Sequence, residues 1–263
     1  MRASIVVCAL LLIACGRSLD SAPAAPHVAE PAPAPPPREA APITEADMAP
    51  HLPDHMRDHF RMVTAVRDAV IRGQLEQAQP PLIWLAQHSY AGEVPDAWKP
   101  FVDGMQLTAR KAQEAGSTSE LAAHVARLGS ACGACHGTLA KPVAFGPAGY
   151  ERLLDEDKPE QVLGRMHRHL WAAERMWEGL VAPDAERFQA AALVLLDSPS
   201  LKGASDRVRA GADAVRALGK RARTAEQLAQ RVDVFGEFLG QCSRCHQEHG
   251  VVPGQSGGHP LGR

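Results

Sequence analysis

The chain is poor in aromatic residues, which make up 5% of 263 positions. Large sheet-forming side chains are therefore scarce, while Ala, Leu, Arg and Glu are prominent, a mixture that favours helix. No segment sustains the two-residue apolar alternation of a half-buried strand. Net charge of one sign is also missing: 28 Lys and Arg against 30 Asp and Glu leave −2, so nothing electrostatic points to nucleic acid. There is no Gly-rich phosphate loop, no Gly-x-Ser-x-Gly and no His-Glu-x-x-His, which removes the commonest signatures of nucleotide binding, serine hydrolysis and zinc proteolysis. Apolar residues still reach 45%, enough to bury a core.

Long apolar runs are likewise lacking. The run Ile5–Ile13, preceded by Arg2, is too short to span a bilayer and reads as a targeting segment. It ends in Leu12-Ile13-Ala14-Cys15, which resembles a bacterial lipobox. That resemblance implies that residues 1–15 form a lipoprotein signal peptide and that Cys15 carries the lipid. The alternative is an ordinary signal peptide that happens to hold a cysteine. A lipid would hold the protein on the periplasmic side of a membrane without a spanning helix. Gly16 stands where family knowledge places an Asp for inner-membrane retention, a pointer toward the outer membrane. Residues 16–47 read as a disordered Pro/Ala-rich linker, and 251–263 as a flexible Gly/Pro tail.

Six cysteines are present and none is left for a disulfide framework. Cys8 lies in the signal segment and Cys15 is the lipid candidate. The other four form two copies of Cys-x-x-Cys-His: Cys132-Gly-Ala-Cys135-His136 and Cys242-Ser-Arg-Cys245-His246. Two thiols three positions apart on one helical turn can each form a thioether to a haem vinyl group, and the adjoining His then meets the iron. A thioredoxin-like pair needs no such His and would follow a strand in a βαβ unit. One zinc site built from both motifs would have to join segments 110 residues apart. The pattern therefore predicts two covalently attached haem c groups, with His136 and His246 as proximal iron ligands.

The offset of 110 recurs far from the motifs. Met56 and His59 map onto Met166 and His169, Glu76 and Gln79 onto Glu186 and Gln189, Leu85 onto Leu195, and Asp96 onto Asp206. Such a period is too long for a solenoid unit and predicts two haem domains, 48–145 and 155–250. Each reads as four helices. In the first copy these run from about Pro53 to Arg72, from Gln74 to His88 with an interruption at Pro80-Pro81, from Pro95 to Gly116, and from a Ser117/Glu120 capping box into the haem motif. In the second, Pro159 suits a first turn, Pro183 opens a helix over 184–197, a third runs from Pro199 to Arg223, and Thr224 with Gln227 caps the last.

Four helices with Cys-x-x-Cys-His at the end of the last resemble the cytochrome c′ family of four-helix bundles, over roughly 48–140 and 158–250. The resemblance implies an all-α fold of two tandem four-helix bundles, with the distal side of each iron facing the first helix. That helix carries Met56-x-x-His59 in one copy and Met166-x-x-His169 in the other, each pair on one face. A lone Met or His on such a face is usually core filler. Of twelve histidines, however, only the motif pair and His59/His169 recur at the offset, whereas His55 maps onto Arg165 and His88 onto Ser198. His59 and His169 are thus the preferred sixth ligands, with Met56 and Met166 as alternatives. Cytochromes c′ block this face with an apolar side chain, and the departure favours a closed, six-coordinate iron. The function expected is one-electron transfer to redox partner proteins, with no enzymatic activity. The competing functions are binding or sensing of a diatomic gas and a di-haem peroxidase, the latter using His59 or Glu76 and their repeats. Arg207-Val208-Arg209 and Lys220-Arg221-Ala222-Arg223 read as solvated helix faces, the second with the option of docking an acidic partner.

Overall fold

The computed structural model describes residues 51–88, 94–146, 162–197 and 205–249. Cys8, Cys15, the linker, Pro159, Pro199 and the tail lie outside them. The described residues are all-α, with no strand among them. The first half holds α1 (Leu52–Ile71), a 3₁₀ turn (Leu75–Ala78), α2 (Gln79–Gln87), α3 (Lys99–Gln113) and α4 (Thr118–Thr138). The second holds α5 (Val162–Val181), α6 (Ala185–Leu196), α7 (Asp206–Arg223) and α8 (Leu228–His249). No described helix is long and apolar enough to cross a membrane.

Local chemistry accounts for most of these ends. Pro53 and the pair Pro80-Pro81 sit in first turns, where the missing N–H costs nothing. The pair therefore starts α2 after the 3₁₀ turn. Ser117 Oγ accepts from the Glu120 N–H at 3.2 Å, and Glu120 Oε2 accepts from the Gly116 N–H at 3.0 Å, a capping box shifted by one residue. Asp184 caps α6 by accepting from the Arg187 N–H at 2.9 Å. Thr224 departs from expectation. Its hydroxyl donates backward to the Arg221 carbonyl at 3.2 Å, closing α7 instead of opening α8. The chain turns out of α7 at Thr224, so that hydroxyl reaches the helix behind it before the one ahead.

Within the first half, α1 packs on α2, α2 on α3, α3 on α4, and α4 back on α1; α5 to α8 repeat the same circuit. The most extensive pairing, however, joins the halves: α4 lies along α8, flanked by α5 on α4 and α1 on α8. The apolar stripe Val63, Val66 and Val70 of α1, together with Leu121, Val125 and Leu128 of α4 and Phe235, Phe238 and Leu239 of α8, belongs to one continuous buried cluster. The halves, expected as domains 48–145 and 155–250, share this core, and all described residues fall in one compact unit.

Close approach between the halves depends on glycine. A Cβ on Gly133, between the cysteines of the first motif, would lie 2.2 Å from the Leu180 carbonyl oxygen at the end of α5. The matching contact is made by Gly73, at φ +72°, where a Cβ would lie 3.3 Å from the Ser243 carbonyl of the second motif. Gly133 and Ser243 occupy equivalent positions of the repeat. Each motif is thus clamped against the first helix of the opposite half.

Candidate functional site

The second motif lies on the last turns of α8, whose register turns Cys242, Cys245 and His246 toward one cavity. That cavity has a volume of about 700 Å³ and is walled by α5, α7 and α8, with Ile71 at its edge. Met166 and His169 of α5 line it as well. The residues that the sequence assigned to one haem site, proximal and distal, therefore line one space.

Backbone carbonyls hold both motif imidazoles. His246 Nδ1–H donates to the Ile71 carbonyl at 2.5 Å, which fixes the ring and leaves Nε2 as the free lone pair. His136 makes the same kind of bond, Nδ1–H to the Lys141 carbonyl at 2.9 Å. His169 Nε2 is buried with no hydrogen-bond partner. Burial, then the nearby Arg165 charge and His246, pull the His169 pKa down to about 4, so its ring is neutral. Burial likewise lowers His246. Burial, with the adjacent cysteine, pushes the Cys132 and Cys242 thiols up to about 12, so both are unreactive as thiolates at neutral pH. Ordinary ligand exchange with a soft metal is thereby disfavoured, whereas thioether formation leaves such positions uncharged and suits burial.

Arg165 stands almost wholly buried on the cavity wall, at 2% exposure. Arg168, on the same helix, is turned toward Asp197, at 3.4 Å. Sequence reading missed Arg165. Its only signal was that His55 of the first copy becomes a permanent cation in the second.

The first half is built differently around its α1 histidine. His59 Nε2 is also buried and unpartnered. Its ring lies 4.4 Å from His55 and 5.3 Å from both His88 and Trp84, centroid to centroid. Burial, then His55 and His88, depress the His59 pKa to about 3. His88 stacks on Trp84 at 3.7 Å with an interplanar angle of 15°, and its Nε2 lies 3.3 Å from His55 Nδ1. Neither His55 nor His88 repeats at the offset of 110. Met56 is half-buried on α1, Cys132 packs against the core, and Cys135 and His136 are half-buried.

Among the charged stretches, Arg221 donates to both carboxylate oxygens of Glu237 at 2.5 and 2.8 Å, consistent with a self-satisfied helix face. Comparison with protein-family models, with curated proteins and with solved structures finds no match.

Proposed function

We propose that the chain is a di-haem c-type cytochrome that carries electrons one at a time, held by a lipid on Cys15 at the periplasmic face of a bacterial membrane. The observation that carries this reading is the α5–α7–α8 cavity. It brings Cys242, Cys245 and His246 together with Met166 and a buried, unpartnered His169 nitrogen. The cavity is of the size a macrocycle needs, the two thiols are uncharged, and two neutral imidazoles line it, one from α5 and one from α8. The residues present therefore fit the group. Two closed helix circuits, each ending in a Cys-x-x-Cys-His, support a pair of four-helix bundles in the manner of cytochromes c′.

A bound haem would supply a one-electron iron couple. Cys242 and Cys245 would hold it covalently, His246 would ligate from the α8 side with its ring fixed by Ile71, and His169 would close the sixth position. The largely apolar lining would limit water around the group, and Arg165 would raise the local potential. In the first half Cys132, Cys135 and His136 take the same parts. His59 there packs against His55, His88 and Trp84, so this reading gives the sixth position to Met56, its neighbour one turn back on α1. The sequence treated the two irons alike; in this reading they differ, and Met gives the first a higher potential than His gives the second.

The deciding experiment is a redox titration with ultraviolet–visible and electron paramagnetic resonance spectra, on wild type, His169→Ala and Met56→Ala. The expected result is two low-spin haems with separate potentials and little carbon monoxide binding. Each substitution should open one haem to carbon monoxide. Prompt stoichiometric carbon monoxide binding by wild type would instead favour the gas-binding function.

A further inference from the structure

We propose that His55, His59 and His88 form a binding site for one divalent transition-metal ion of the imidazole-seeking kind, such as zinc. The site goes beyond the haem reading and uses none of the haem-motif residues. One nitrogen from each ring falls within 4.8 Å of the other two. A tetrahedral zinc with bonds of about 2.0–2.1 Å spaces its ligand nitrogens about 3.4 Å apart. His88 Nε2 and His55 Nδ1 already stand at 3.3 Å. His59 Nε2, buried and without a hydrogen-bond partner, supplies the third lone pair. An orphaned buried nitrogen costs free energy that a metal bond would recover.

The rings converge for reasons that lie in the fold. His55 and His59 are one turn apart on α1, so they share a face. His88 caps the end of α2, which packs on α1, and its carbonyl accepts from Gln106 Nε2 at 3.0 Å, tying that end to α3. Trp84, one turn before it, stacks on the imidazole and fixes its plane. These are the supporting contacts that hold a ligand set in place before the ion arrives. Of this set only His59 repeats: the second half has Arg165, Val194 and Ser198 where the first has His55, Trp84 and His88. The three rings are half-buried, not sealed, so an ion can enter from solvent, and a water completes the fourth position.

The test is calorimetric titration of chelator-treated, full-length haem-loaded protein with zinc ion alone. One saturable equivalent is expected, together with a higher melting temperature in its presence. His55→Ala and His88→Ala should each weaken binding at least tenfold, the lower end of the loss that follows even removal of an outer-shell partner. His124→Ala, on α4, should change nothing. Melting curves without zinc show whether each variant is folded, and His88→Gln provides a milder second substitution at the same ligand. No saturable binding, or binding undiminished in the His55 and His88 variants, overturns the site. Haem content, read on the same samples from the pyridine haemochrome spectrum, shows separately whether the cytochrome reading stands.

Discussion

At the scale of single residues, the most buried cation of the α5–α7–α8 cavity is Arg165, beside the more exposed Arg207 and Arg244. Arg165 is nearly fully buried beside His169, and its charge disfavours any further positive charge nearby. In the proposed cytochrome, ferric iron would carry one more positive charge than ferrous, so Arg165 would favour the reduced state. Arg165→Gln should lower the midpoint potential of the second haem by roughly tens of millivolts and leave the first unmoved, as read by spectroelectrochemical titration. A rise, or an equal shift of both haems, would contradict this placement. Spacing alone marked the motif cysteines and histidines as one group, and the structure lines a single cavity with Cys242, Cys245 and His246. The repeat offset singled out His169, and it lines that same cavity. The triad was not legible: His55 and His88 fail the repeat, and only the packing of α2 on α1 brings them to His59.

At the scale of elements, the helices were readable because caps and prolines act locally. Ser117 and Asp184 cap as their chemistry demands. Thr224 misleads because a hydroxyl serves either neighbouring helix, and only the path of the turn decides which. Which helix meets which could not be read, because the apolar faces of α4 and α8 would suit several partners. Glycines now separate those contacts. On Gly129 of α4 a Cβ would lie 2.6 Å from the buried Trp177 ring, so Gly129→Ala should cost about 1–3 kcal/mol, as overpacking does. Around Gly104 of α3 nothing lies within 4 Å, so Gly104→Ala should stabilise by about 0.5–1 kcal/mol through helix propensity. Urea unfolding of both variants checks the contrast, and equal effects would mean that the α4–α5 contact is looser than described.

At the scale of the whole molecule, buried neutral histidines make stability depend on pH. His59 and His169 are held at about 3 and about 4, against 6.5 for a free side chain. As pH falls through 6.5 the unfolded chain takes up protons that the folded chain refuses. Stability therefore drops as pH falls from about 6.5 to about 4, by up to about 1.4 kcal/mol per unit for each histidine. Haem-free protein should accordingly unfold at lower urea near about pH 5 than near about pH 7, and an unchanged midpoint would show that these rings are solvated. The bond from His246 to the Ile71 carbonyl also crosses between the halves, as do the contacts of Gly73 with α8 and Gly133 with α5. The Gly73–Ser243 and Gly133–Pro183 contacts are related by the offset of 110, so each half gives the other what it receives, whereas His136 bonds the Lys141 carbonyl within its own half. In these contacts the layout is that of an isologous pair carried on one chain. Because the two halves need not be identical, one can hold the His triad and the other the buried arginine, which two identical subunits could not hold separately.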